Sequence, residues 1–175
     1  MEVFWYHGYE AATLPELLDE MGISRQSLYD TYGDKRTLFL AAFERYLGMI
    51  DEELEYVEDT DATLDTVREY ADGVARTMTS GEPRACMVLR TSIELARVDD
   101  EVHEIVTRFT RRLERAFGQA VENSIENGDV VTDKSPRSIA RFLFNTIQGL
   151  SVLACTGTSR RTLKDVLDIA FGAIR

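Results

Sequence analysis

The chain holds two histidines, two cysteines, three prolines and one tryptophan in 175 residues. Each scarcity removes a class of reading. His7 and His103 are the only imidazoles. A carboxylate di-metal site in a helical bundle draws on paired Glu-x-x-His segments, which are missing here. Asp100, His103 and the nearby acids Glu94, Glu101 and Glu104 therefore carry no metal expectation, and no cofactor is expected either. Cys86 and Cys155 are far apart in helical contexts, so they read as reduced core thiols and not as a disulfide framework. There is no phosphate loop, no Gly-x-Ser-x-Gly and no locally supported Cys–His pair, so an enzyme is not expected. No apolar run approaches the roughly eighteen residues of a membrane span, and MEVFWYHGYE lacks the pattern of a signal peptide. These absences give the expectation of a cytoplasmic chain without a membrane partner. Sparse proline and helical periodicity point to an all-α fold.

What is present concentrates in one stretch, TLPELLDEMGISRQSLYDTYGDK, Thr13 to Lys35. Thr13 is an N-cap with Glu16 three residues on, the pattern of a capping box. Leu14, Leu17, Leu18 and Met21 recur at helical spacing. Gly22 stands where a C-cap needs positive φ, and Ile23 plugs the turn. Ser24 caps a second helix, Arg25 to Thr31, with Leu28 facing inward and Gly33 ending it. Asp34 caps the next helix. Two short helices joined by a glycine turn make a DNA-reading helix-turn-helix, whose second helix lies in the major groove. Arg25 is then placed to bridge guanine O6 and N7, Gln26 to pair with adenine, and Ser27 to meet a base or phosphate. The net charge of −11 opposes nonspecific wrapping of nucleic acid but leaves room for a local basic strip.

From Gly8 to Tyr46 the run GYEAATLPELLDEMGISRQSLYDTYGDKRTLFLAAFERY resembles the N-terminal domain of the TetR family of transcriptional regulators. The resemblance rests on Gly8-Tyr9, the apolar-Gly-Ile-Ser turn, Leu28-Tyr29, the aromatic-Gly-x-Lys exit and Leu38-Phe39. It implies DNA contacts from Thr13, Ser24, Arg25, Gln26, Ser27, Tyr29, Thr31 and Lys35. Tyr29 and Thr31 match phosphate-contacting positions, and Lys35 acts beside the N-terminal dipole of the following helix. Two departures stand out. Asp30 puts an acid beside the phosphates, so its side chain is expected to point away or to lower affinity. Residues 1–46 carry four basic against eight acidic side chains. In the family a full first helix, usually preceded by basic residues, comes before the Gly-Tyr pair; here Met1 to His7 stands there, and Val3 to Tyr6 read as its core-packing end.

A linking helix is expected from Asp34 to about Glu58, its acidic end solvated and prone to fray. Further helices are expected from about residue 63 to Thr79, Arg84 to Arg97, Asp100 to Asn127, Ser135 to Thr156 and Ser159 to Ile174. The break at 80–83 separates the first two, and the Arg84 helix is expected to be central because apolar residues lie on more than one face. The last two helices are apolar around more of their circumference than one partner needs, which suits a symmetric four-helix dimer interface over 135–156 and 159–174.

The resemblance divides the chain into a DNA-binding head, 1–46, and a ligand-binding and dimerisation domain, 47–175. It implies a repressor that binds a palindromic operator as a homodimer and is released by a small-molecule effector held between the central helices. Candidate lining residues are Met78, Met87, Thr91, Glu94, Phe109, Phe117, Asn145 and Gln148. The acidic head keeps open an alternative: an all-α dimeric small-molecule-binding protein without DNA binding.

Overall fold

A computed structural model describes residues 1–80 and 85–174. The expected break at 80–83 and the expected helix start at Arg84 fall largely outside the described residues. Among those residues the elements are α1 (Glu2–Ala11), α2 (Leu14–Met21), α3 (Arg25–Tyr32), α4 (Lys35–Leu54), α5 (Leu64–Met78), α6 (Met87–Glu94), α7 (Asp100–Glu126), α8 (Pro136–Cys155) and α9 (Arg160–Gly172), with no strand. Side-chain caps explain most of the starts. Thr13, Ser24, Asp34, Asp99, Ser135 and Ser159 each accept a backbone N–H three residues on. These bonds satisfy donors that a helix N-terminus otherwise leaves orphaned.

One hydrophobic cluster runs through the whole chain, from Phe4 in α1 to Ile174. The 27-residue α7 is its spine. Val102, Phe109, Leu113, Phe117, Ala120 and Val121 fall on its buried stripe, and α5, α6 and α8 pack around it. The head made by α1 to α3 and the start of α4 closes over its own core of Phe4, Leu17, Leu28, Leu38, Phe39 and Phe43.

Four details differ from the sequence expectation. Gly8 interrupts the first helix, and the chain turns helical again before Ala12. The linking helix ends at Leu54 and not near Glu58, because Leu54 and Val57 are buried in the turn that follows. Two acids of this stretch are partnered: Arg112 of α7 donates to Asp51 and, at 2.5 and 2.6 Å, to Glu58. Helix α6 is shorter than expected and buries one face, Met87, Val88 and Thr91, while Ile93 is exposed.

By length and composition alone α8 could cross a membrane. Yet Ile139, Leu143, Ile147, Leu150 and Ala154 are buried within the bundle. Its outer face shows Phe142 and Val152, and α9 shows Ile169.

Candidate nucleic-acid interface and internal cavity

The head presents α3 to solvent on every side but one. Leu28 is fully buried and anchors it, while Arg25, Gln26, Ser27, Tyr29, Asp30 and Thr31 are exposed. The turn before it is built as its residues dictate. The Thr13 hydroxyl and N–H both donate to Glu16, at 2.6 and 2.8 Å, and these bonds hold the Glu16 carboxyl below its ordinary range. Gly22 takes φ +62, the left-handed conformation that glycine adopts most cheaply, and Ile23 N–H donates to Leu18 C=O at 3.2 Å.

The structure also accounts for Asp30. It lies one turn beyond Gln26 and accepts from its Nε2 at 2.7 Å, so the acid orients that amide along the helix surface. Arg25 makes no hydrogen bond or ion pair among the described residues. Lys35, half-buried, sits 4.7 Å over the ring of Tyr9 and reaches Glu10 C=O at 3.4 Å. Tyr9 is thus a platform for the lysine; its hydroxyl pKa is raised, mainly by burial and then by Glu10. In the sequence Tyr9 entered only as part of the Gly8-Tyr9 pair.

A third basic residue of the head, Arg36, is committed to the body and not to this surface. Arg36 donates to both carboxylate oxygens of Asp99, at 2.7 and 2.9 Å, and to Glu101 at 2.8 Å. The pairing raises the guanidinium pKa and holds Asp99 below the ordinary carboxylate range. Arg36 therefore ties α4 to the cap of α7. Three more bonds join head and body through α6 and the residues before it. Tyr9 N–H donates to Glu94 at 2.7 Å, Arg90 to Tyr6 C=O at 2.9 Å, and the Trp5 indole N–H to Ala85 C=O at 2.7 Å. Gly8, at φ +83, brings the backbone so close to Glu94 that a Cβ there would lie 2.1 Å from Oε1.

Behind these tethers is a cavity of about 300 Å³, near the lower end for small-molecule sites. Its wall draws on α1, α4, α5, α7 and α8. Of the sequence candidates, Met78, Phe109, Phe117 and Gln148 line it. The other four lie elsewhere. Met87 and Thr91 point into the core of α6. Glu94 is engaged by Tyr9, and Asn145 is exposed, donating to Arg141 C=O at 2.7 Å. Lining residues that sequence reasoning missed include Trp5, Tyr46, Glu53 and Tyr70. The Trp5 signal was available: an indole buries well only where its N–H finds a partner. Tyr46 donates to Cys86 Sγ at 3.7 Å and accepts from Met87 N–H at 3.3 Å. Burial pushes its hydroxyl pKa and the Cys86 thiol pKa upward, so both stay protonated at neutral pH.

An exposed, capped helix-turn-helix tied by several bonds to an all-helical body with a cavity is the arrangement of a DNA-binding transcription regulator. The chain belongs to the tetR family of bacterial regulatory proteins. That family's N-terminal model matches residues 1–42, and a tetracyclin repressor-like C-terminal domain model matches residues 63–169. The chain is 31% identical over 177 residues to an uncharacterized HTH-type transcriptional regulator, YezE of Bacillus subtilis (strain 168), covering 99% of this chain and 91% of the relative. It is 29% identical to the HTH-type transcriptional repressor AcnR of Corynebacterium glutamicum, covering 98% and 86%. Among solved structures, a cysteine mutant of the TetR family regulator CifR complexed with a 26-base-pair operator duplex superposes with a TM-score of 0.81. The two chains are 30% identical, with 98% of this chain and 91% of that one covered.

Proposed function

We propose that this regulator is a homodimeric repressor of a palindromic operator, released when a small molecule fills the cavity. Residues 1–46 act as the head and residues 47–175 as sensor and dimer scaffold, in the cytoplasm. The observation that carries the reading is Trp5. It belongs to the head, lines the cavity and is bonded to Ala85, so an occupant of the cavity touches the helix that braces α3. Occupancy that favours one position of α1 over another shifts the population of DNA-competent heads. Thr13, Ser24, Arg25, Gln26, Ser27, Tyr29, Thr31 and Lys35 carry the DNA contacts. All are exposed except the half-buried Lys35. Met78, Phe109, Phe117 and Gln148 form part of the effector wall. The exposed Phe142, Val152 and Ile169 supply apolar surface for pairing α8 and α9 across a two-fold axis. The operator complex of CifR and the repressor name of AcnR support the DNA-binding and repressor parts.

The test is a salt series of operator binding by fluorescence anisotropy, using duplexes from the region upstream of the gene and a scrambled control. Sequence-selective binding with a steep salt slope is expected. Equal affinity for the scrambled duplex removes the proposal. A second reading, a dimeric ligand-binding protein that does not grip DNA, draws on one observation. The head has four basic side chains, and one of them, Arg36, is committed to Asp99 and Glu101. Saturable ligand binding with no affinity for any duplex would favour it.

A further inference from the structure

The cavity wall is rich in aromatic residues: Trp5, Tyr46, Tyr70, Phe109, Phe117 and Phe144 all contribute rings. Among the described residues its charge is of one sign. Among the described residues the wall contains one ionisable acid, Glu53, and no lysine or arginine. Glu53 stands in the last turn of α4, and its circumstances differ from those of its neighbours. Asp51 and Glu58 are both held by Arg112, whereas Glu53 has no ion pair or hydrogen bond among the described residues. Partial burial raises its carboxyl above the ordinary range, and no cation among the described residues offsets this. Tyr70 and Gln148 also line the cavity and add polar groups to its wall.

These features discriminate between ligand classes. An anion would meet Glu53 and find no basic group in the described wall. A neutral apolar body would cover part of the hydration of the rim carboxylate and offer it no partner in return. A cation on an apolar frame would pair with Glu53, and its charge would also be attracted by the faces of the surrounding rings. We infer that the cavity takes a small apolar organic cation, an amine or quaternary ammonium on an aromatic or branched alkyl body, with Glu53 as its counter-ion. This rests on the reading of the cavity as an effector site and adds the chemistry of the effector.

The single tryptophan lines the cavity, so its fluorescence reports occupancy directly. The probes are benzyltrimethylammonium, its uncharged carbon isostere neopentylbenzene, and the anion 3-phenylpropionate. The full chain is titrated with each, and the same titrations are run on Glu53→Gln. Glu53 is exposed at the cavity rim, so this variant is expected to keep its thermal midpoint. The cation is expected to bind about tenfold more tightly than the isostere, and Glu53→Gln to remove most of that preference without changing isostere affinity. Equal affinity for cation and isostere, tighter binding of the anion, or a cation affinity indifferent to Glu53→Gln each overturns the inference. In those cases saturable binding of any probe still leaves the cavity as a ligand site. No saturable signal from any probe overturns both the inference and the sensor role of the cavity, while operator binding, measured separately, would stand.

Discussion

Replacing Gly8 by alanine tests the joint between head and body. Gly8 has φ +83 and ψ −178, a conformation open essentially to glycine alone. Its added Cβ would lie 2.1 Å from Glu94 Oε1 and 2.8 Å from Cδ, so the carboxylate must leave the Tyr9 N–H that it accepts at 2.7 Å. The backbone strain costs about 1–3 kcal/mol, and losing a partly exposed hydrogen bond to a charged acceptor costs about 1.5 kcal/mol. The sum, about 2.5 to 4.5 kcal/mol, lowers the midpoint temperature of a chain this size by roughly 5 to 18 °C. The assay is thermal unfolding by circular dichroism at one fixed protein concentration, because an assembling chain has a concentration-dependent midpoint. A double-mutant cycle separates the two parts. In a Glu94→Ala background the collision is gone, and Gly8→Ala should cost only the backbone strain. A Gly8→Ala midpoint within a degree of the parent, or a cycle that is strictly additive, would refute the reasoning.

Other outcomes follow from the same geometry. Arg25→Ala should cost about 1–3 kcal/mol at one operator position and relax specificity there, whereas Lys35→Ala should weaken all duplexes alike and reduce the salt slope by about 1; competition binding against single-base variants distinguishes them. Leu28→Ala, at a fully buried position, should destabilise by about 2–5 kcal/mol in denaturant unfolding. Asp99 has a folded-state pKa depressed by Arg36, so its contribution is present above the unfolded pKa of about 3.9 and is lost as pH falls through the lower folded value. The stability gap between the parent and Asp99→Asn should therefore be constant from pH 7 to 5 and close below about pH 4, as urea unfolding across pH would register.

The head was legible in the sequence because its determinants are local. Thr13, Glu16, Gly22, Ser24, Gly33 and Asp34 each act within four residues of themselves, and the structure gives all six the capping or turn roles their types imply. The cavity was half legible. Helical periodicity says that Met78, Met87, Phe109 and Phe117 are inward, but which inward residues meet a void depends on how five helices close around it. Glu94 shows the same limit. A half-buried acid needs a partner, yet the partner is a backbone N–H 85 residues away in the head. Glu53 was hidden for the opposite reason: it lies in an acidic run that reads as solvated, and only α5 and α7 packing alongside puts it on a cavity rim.

The grip of Arg112 on Asp51 and Glu58 has a mechanical consequence. It pins the far end of α4 to α7 from both sides of the turn at Leu54, while the near end of α4 connects through Gly33 to the reading helix. Twenty residues of α-helix make an arm about 30 Å long, so a 5° swing about the pinned end carries the other end by roughly 2.5 Å. In the dimer proposed above, a rotation of that size would carry two heads out of register with half-sites about 34–36 Å apart, and it would also have to shift the Arg36–Asp99 contact that ties the near end of α4 to α7.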